Sequence, residues 1–289
     1  MRLARVSIAA VLGAALAMPV HAGDAAPQKA DKPRPAAKKP PDKSAPAPAA
    51  PFDPALIAAL QGGDRDAAAR AAAQAGDSAD AAAHDALLDA LTTGLNPKVA
   101  AVAIAGLAKH AAPGDVPVLL VYAAHRNDDA RAAAVAALGA YPDPRAKQRV
   151  VAALGDDVDQ VRVAAGGAVA RGKIREGVER LLALLDKGDA AAPAPLAALA
   201  DADLAHAIAE HLGTAPAGTL AQTLGLILKR ADFPDPARVQ VVRAIAKIPG
   251  AEATAALTEY LESVPAKPPR PSRKEAEQVV EQRLAGGGQ

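Results

Sequence analysis

Few residues in this 289-residue sequence could carry covalent chemistry, and their spacing does not assemble them. Cysteine is absent, which removes thiolate nucleophiles, thiolate metal sites and disulfide cross-links together. Serine occurs only at Ser7, Ser44, Ser78, Ser263 and Ser272. Ser78 lies in Gly76-Asp77-Ser78-Ala79-Asp80, which lacks the second glycine of a nucleophile elbow and reads as a helix N-cap. The nearest approach to a metal set is His206, Glu210 and His211. His206 and Glu210 share a helix face, but His211 is one residue too far on, and no His-Glu-x-x-His occurs. His84, His110 and His125 are scattered and read as surface residues. No convincing strand precedes a Gly-rich loop that could cradle phosphate. The expectation is a protein that is not an enzyme, with no catalytic residues, cofactor or metal.

The polar residues that do recur are spaced as a repeat. Asp128 with Arg131, Asp159 with Arg162, and Asp235 with Arg238 occupy the same place in successive units. They read as an N-cap plus an i,i+3 ion pair, laddered from repeat to repeat. Arg149 and Arg180 are also 31 residues apart. They read as a solvated helix face or, more sharply, as a basic contact strip extended by Tyr122, which makes these three the candidate partner-binding residues. Gly166 and Gly167 sit mid-helix, where each costs roughly 1 kcal/mol against alanine, and are expected to form a notch for close packing.

The elements that carry these residues follow from the apolar columns. Val99, Ala130 and Val161 are 31 apart, as are Leu107, Leu138 and Val169, and Leu119, Val150 and Leu181. One more unit fits after a jump of 76, where Ala237, Ile245, Leu257 and Leu261 align with Val161, Val169, Leu181 and Leu185. Each unit reads as two helices: Asp128 opens a run that stops near Gly139, and Pro144 opens a second that ends at Gly155. A helix pair cannot bury its apolar stripe alone, so neighbouring pairs must stack. The expected fold is all-α, a solenoid of about six or seven stacked antiparallel helix pairs over residues 54–264.

The pattern Asp-x-x-Arg-x-x-Ala-x-x-Ala-Leu-Gly, as in Asp128 to Gly139, followed by a Leu-rich second helix, resembles HEAT repeats, in particular the short bacterial PBS-lyase HEAT-like type. The resemblance is clear over residues 96–186 and 235–262 and degenerate over 54–95 and 190–230. It implies an α-solenoid whose second helices line a concave protein-binding surface. Some relatives are bilin lyases or isomerases, but no aromatic-lined pocket supports that activity here.

Composition frames the rest. Alanine supplies 81 residues, whereas tryptophan is absent and only five aromatics occur, too few for stacking platforms on single-stranded nucleic acid. Residues 1–22 read as a Sec signal peptide: Arg2 and Arg5, an apolar stretch, then Val20-His21-Ala22, with cleavage after Ala22. The apolar stretch is about 15 residues and meets Pro19, short of the roughly 20 a membrane span needs. The mature protein is therefore expected in the periplasm or secreted, without a transmembrane segment. Residues 23–53 are Pro-, Ala- and Lys-rich and read as a disordered basic linker in weak contact with anionic envelope polymer or lipid. Residues 265–289 read as a second Pro-rich, disordered tail with a short helix near 273–284. Between them, residues 53–264 hold 20 basic and 26 acidic residues, a balance that argues against a nucleic-acid partner. The function expected is a non-catalytic scaffold or adaptor that binds envelope proteins. The alternatives are an envelope-structural protein tethered by its basic arm, or a bilin-lyase-like or other cofactor-handling enzyme on the same fold.

Overall fold

The computed structural model describes residue 53 and residues 55–286. The expected signal peptide lies outside the described residues, as does all of the basic linker except Asp53. Among the described residues there are fifteen α-helices and no strand. They are α1 (Ala55–Leu60), α2 (Arg65–Asp77), α3 (Ala81–Thr93), α4 (Pro97–His110), α5 (Val116–Tyr122), α6 (Asp128–Leu138), α7 (Pro144–Ala153) and α8 (Asp159–Gly172). There follow α9 (Val178–Asp186), α10 (Pro193–Leu199), α11 (Ala202–Glu210), α12 (Ala217–Lys229), α13 (Asp235–Ala246), α14 (Ala251–Ser263) and α15 (Pro271–Gly286). None is long and apolar enough to cross a membrane.

Helix starts follow the expected chemistry. The side chains of Asp64, Asp80, Asn96, Asn127, Asp143 and Asp201 each accept a bond from an amide of the first turn they precede. Pro97 and Pro144 open their helices, where a missing N–H costs nothing. Ser78, expected as an N-cap, is instead the residue that closes α2, and Asp80 caps α3.

From α2 onward the helices form seven antiparallel pairs in two layers. The even-numbered helices pack in sequence from α2 to α14. Small residues set that approach: a Cβ on Gly76 would lie 2.5 Å from Gly106 Cα, and one on Gly139 would lie 2.7 Å from Ala168 Cα. Gly166 is such a notch, since its Cβ would fall 2.5 Å from the Ala191 carbonyl, whereas Gly167 faces open space near Arg171. The repeat columns share their burial: Leu107, Leu138 and Val169, like Leu119, Val150 and Leu181, are all 0% exposed.

Two boundaries differ from the sequence expectation. The alignment by 76 residues equated α13 with α8 as a first helix, but α13 packs between α11 and α15 in the layer of second helices. Five turns lie between α8 and α13, and an odd number of turns moves the chain to the other layer, so α13 joins the layer of α9 and α11. The solenoid also does not stop at 264. The helix expected near 273–284 is α15, sixteen residues long and packed on α13 and α14. The buried Ser272 hydroxyl bonds Tyr260 Oη at 2.6 Å and donates to Asp235 Oδ1. Arg283 donates to the carbonyls of Ile245, Ala246 and Ile248 at the end of α13. Lys274, Glu277, Gln278 and Glu281 face outward, so α15 turns a polar surface away from the stack.

Candidate functional site

The ladder residues hold the loops between pairs. Arg131 pairs with Asp128 at 2.9 Å but also donates Nε and Nη2 to both oxygens of Asp156, at 2.9 and 3.1 Å, and Nη1 to the His125 carbonyl at 2.8 Å. Arg162 repeats this with Asp159, with Asp189 at 2.7 Å and with the Asp156 carbonyl at 2.9 Å. Each guanidinium thus ties its own entry loop to the next one, using the planar fork that only arginine supplies. The cap assignment shifts by one residue: Asn127 caps α6, and Val158 precedes α8 without a side-chain bond. Asp128 and Asp159 lie in the first helical turn and are 50% and 89% exposed, whereas Asp156 and Asp189 are 14% and 12% exposed. The third pair departs. Arg238 is buried and donates to the carbonyls of Leu228 and Arg230, while Asp235 stands 3.9 Å away and serves Ser272. Asp189→Ala is accordingly expected to lower stability by about 2 kcal/mol, and Asp159→Ala by no more than about 0.5. Equal losses in urea unfolding of the two variants would contradict this division.

Arg149 and Arg180 perform one task at two places. Arg149 on α7 donates to the carbonyl of Ala123, which closes α5, and Arg180 on α9 reaches the Val151 and Ala152 carbonyls of α7 at 3.3 and 3.5 Å. A cation over a helix C-terminus is favourably placed. Arg149 is half-buried and Arg180 exposed, so only Arg180 offers much of itself to solvent. Tyr122 offers almost nothing. It is 8% exposed, donates its hydroxyl to the Leu91 carbonyl at 3.0 Å and stacks on His125, so it is a packing residue and not part of an exposed strip.

Between second helices the surface opens. A groove of about 530 Å³ separates α7 from α9, with Val151 and Ala152 in its floor and Lys147, Gln148, Glu176 and Arg180 around it. Another of about 510 Å³ separates α11 from α13. Its floor is Ala205, Ala209, Ala237, Val241 and Ala244, and its rim carries His206, Glu210, Arg243 and Lys247. The His206–Glu210 pair expected on one helix face is present at 3.3 Å, but His211 turns away to bond Asp186 at 2.6 Å. No three His, Asp or Glu residues converge as a metal-binding set among the described residues.

The sequence reading missed one cluster. Asp115, in the 3₁₀ turn Pro113–Asp115, is 0% exposed and accepts from His84 Nε2 at 2.7 Å, Tyr141 Oη at 2.8 Å and the Ala112 amide at 3.1 Å. His84 Nδ1 meets Asp85 at 3.1 Å, and the His84 ring lies edge-on to His110 at 5.6 Å. Burial opposes charge on His84, yet hydrogen bonds to Asp115 and Asp85 outweigh it and hold its pKa above the usual value. With both ring nitrogens facing carboxylates, the imidazole has no free lone pair to act as a general base. Burial and the bond to Asp115 push the Tyr141 phenol upward, so it stays a donor. Three elements distant in sequence are joined here, and residues scattered at 84, 115 and 141 carry no local pattern that announces it.

The central region is similar to known repeat sequences. Residues 84–170, which run from α3 into α8, match the family described as HEAT repeats. No curated protein matches the chain. Among solved structures, the chain is similar to one in the complex of CpcE and CpcF of phycocyanin lyase from Nostoc sp. PCC7120, with 19% identity, 84% of this chain and 99% of that chain covered, and a TM-score of 0.47. It is also similar to two engineered proteins at 21% identity. Coverage is 80% of this chain with 77% of the first and 96% of the second, at TM-scores of 0.40 and 0.31.

Proposed function

We propose that this chain is a non-catalytic scaffold of the bacterial cell envelope that binds other proteins through the face built by its second helices. One observation carries the reading. The even-numbered helices close on each other at glycine and alanine and leave a smaller groove of about 350 Å³ between α12 and α14, whereas larger grooves of about 530 and 510 Å³, lined by apolar and charged side chains, stay open between α7 and α9 and between α11 and α13. Stacked HEAT-like pairs present an extended surface of this kind to a partner. The envelope assignment rests on the signal-peptide pattern of residues 1–22, and the basic residues of the linker fit contact with an anionic polymer.

In-cell crosslinking followed by mass spectrometry tests this. A stoichiometric protein partner crosslinked to second-helix residues is the expected result, and recovery of no partner would overturn it. A shift of the protein out of the envelope on deletion of residues 24–52, with no crosslinked partner, would instead favour the tethered structural role.

A further inference from the structure

We infer that the grooves between second helices accept an amphipathic helix that brings bulky aliphatic side chains on one face and carboxylates along its edges. This inference rests on the scaffold reading and adds the chemistry of the partner. The first reason is space. The α11/α13 groove is floored almost wholly by alanine methyl groups, with Leu212 at its margin 38% exposed. Side chains this short leave about 510 Å³ unfilled, so the complementary surface must supply the bulk.

The second reason is charge. Residues 53–264 carry more acidic than basic groups, yet the rims of these grooves run the other way. Lys147 on the α7 side and Arg180 on the α9 side outnumber Glu176 at one, and at the other Lys247 stands unpaired beside the His206–Glu210 and Arg243–Glu275 pairs. Neither Lys147 nor Lys247 has an acidic partner among the described residues, and Arg180 bonds only backbone carbonyls. Arg243 pairs with Glu275 of α15 at 2.8 Å, so Lys247, one helical turn on, is the cation that this rim leaves without an acidic partner among the described residues. The groove between the first-layer helices α12 and α14 has the opposite sign: Glu252 and Glu259 flank Lys229, which Glu259 already neutralises at 2.8 Å. Positive rims on one layer of an acidic body select an acidic partner and orient it.

The test uses the whole mature chain and three fluorescein-labelled synthetic peptides. One is an 18-residue helix with leucine on one face and glutamate on the other. The second replaces each glutamate by lysine, and the third scrambles the first so that no apolar face forms. Saturable binding of the glutamate peptide alone is expected, weakened by salt and by at least tenfold in the Lys147→Glu, Lys247→Glu double variant. Neither lysine side chain makes an ion pair or hydrogen bond among the described residues, so circular dichroism of that variant should match the wild type. Equal binding of the lysine or scrambled peptide, no binding of any peptide, or unchanged affinity in the double variant would overturn the inference. The two readings fail separately: crosslinks mapping a stoichiometric partner to the even-numbered helices would overturn the groove assignment while leaving a protein-binding scaffold in place, whereas recovery of no partner would overturn the scaffold.

Discussion

Leu138→Asp will strongly destabilise the central repeats. Leu138 is 0% exposed and occupies the column shared with Leu107 and Val169, where α6 meets its neighbours in both layers. The substitution removes most of a buried side chain and leaves a carboxyl group with no designed partner between stacked helices. Lost burial and the polar penalty together amount to about 4 kcal/mol or more. In a chain of this size that lowers the melting temperature by roughly 10 °C. Leu138→Met keeps the volume and should cost less than about 1.5 kcal/mol. The comparison of the two variants by thermal melting checks the repeat register directly, because a one-residue slip would place position 138 elsewhere on the helix. Near-wild-type melting of Leu138→Asp would refute that register.

Asp115→Ala is the second large effect, and it carries a pH signature. The variant strands three donors at once: His84 Nε2, the Tyr141 hydroxyl and the Ala112 amide, all within reach of a carboxylate that has no exposed surface. Removing one side of such a buried network costs about 3–5 kcal/mol. Because the carboxylate joins α3, the turn after α4 and the segment following α6, the loss should appear first as weakened hydrogen-exchange protection of α3 to α5. In the wild type, His84 has a folded-state pKa raised above its unfolded value. Its stabilisation is therefore fully present below the ordinary histidine value of about 6.5 and is lost as pH rises through the folded pKa. Urea unfolding of the wild type should show stability declining as pH rises above about 6.5. Asp115→Ala should flatten that decline, and an unchanged slope would show that the pair is not the titrating element.

Much of the architecture was legible in the residues for a simple reason. A repeat writes each packing contact several times, so Leu107, Leu138 and Val169 could be recognised as one core position before any helix was placed. The Asp-x-x-Arg ladder was legible in part. Arg131 and Arg162 were found because they recur at 31 residues, but their stronger partners, Asp156 and Asp189, stand 33 apart and fell out of the column. The Gly-Asp dipeptide at 155–156 and 188–189 was the available signal. Tyr122 was misplaced because its helical position alone does not say whether the ring turns outward or inward, where its hydroxyl meets the Leu91 carbonyl.

Helix content, the close approach of first helices and the order of the central pairs were thus determined by the sequence itself, because propensity, caps and period act over neighbouring residues. Three features were decided only in the tertiary structure. The layer of α13 depends on how many helices intervene, a parity that no local pattern in the degenerate stretch 190–230 reveals. The buried Asp115 cluster depends on long-range approach of residues with no common spacing. The open, positively rimmed grooves depend on how far successive second helices stand apart, and that distance is set by packing across both layers at once.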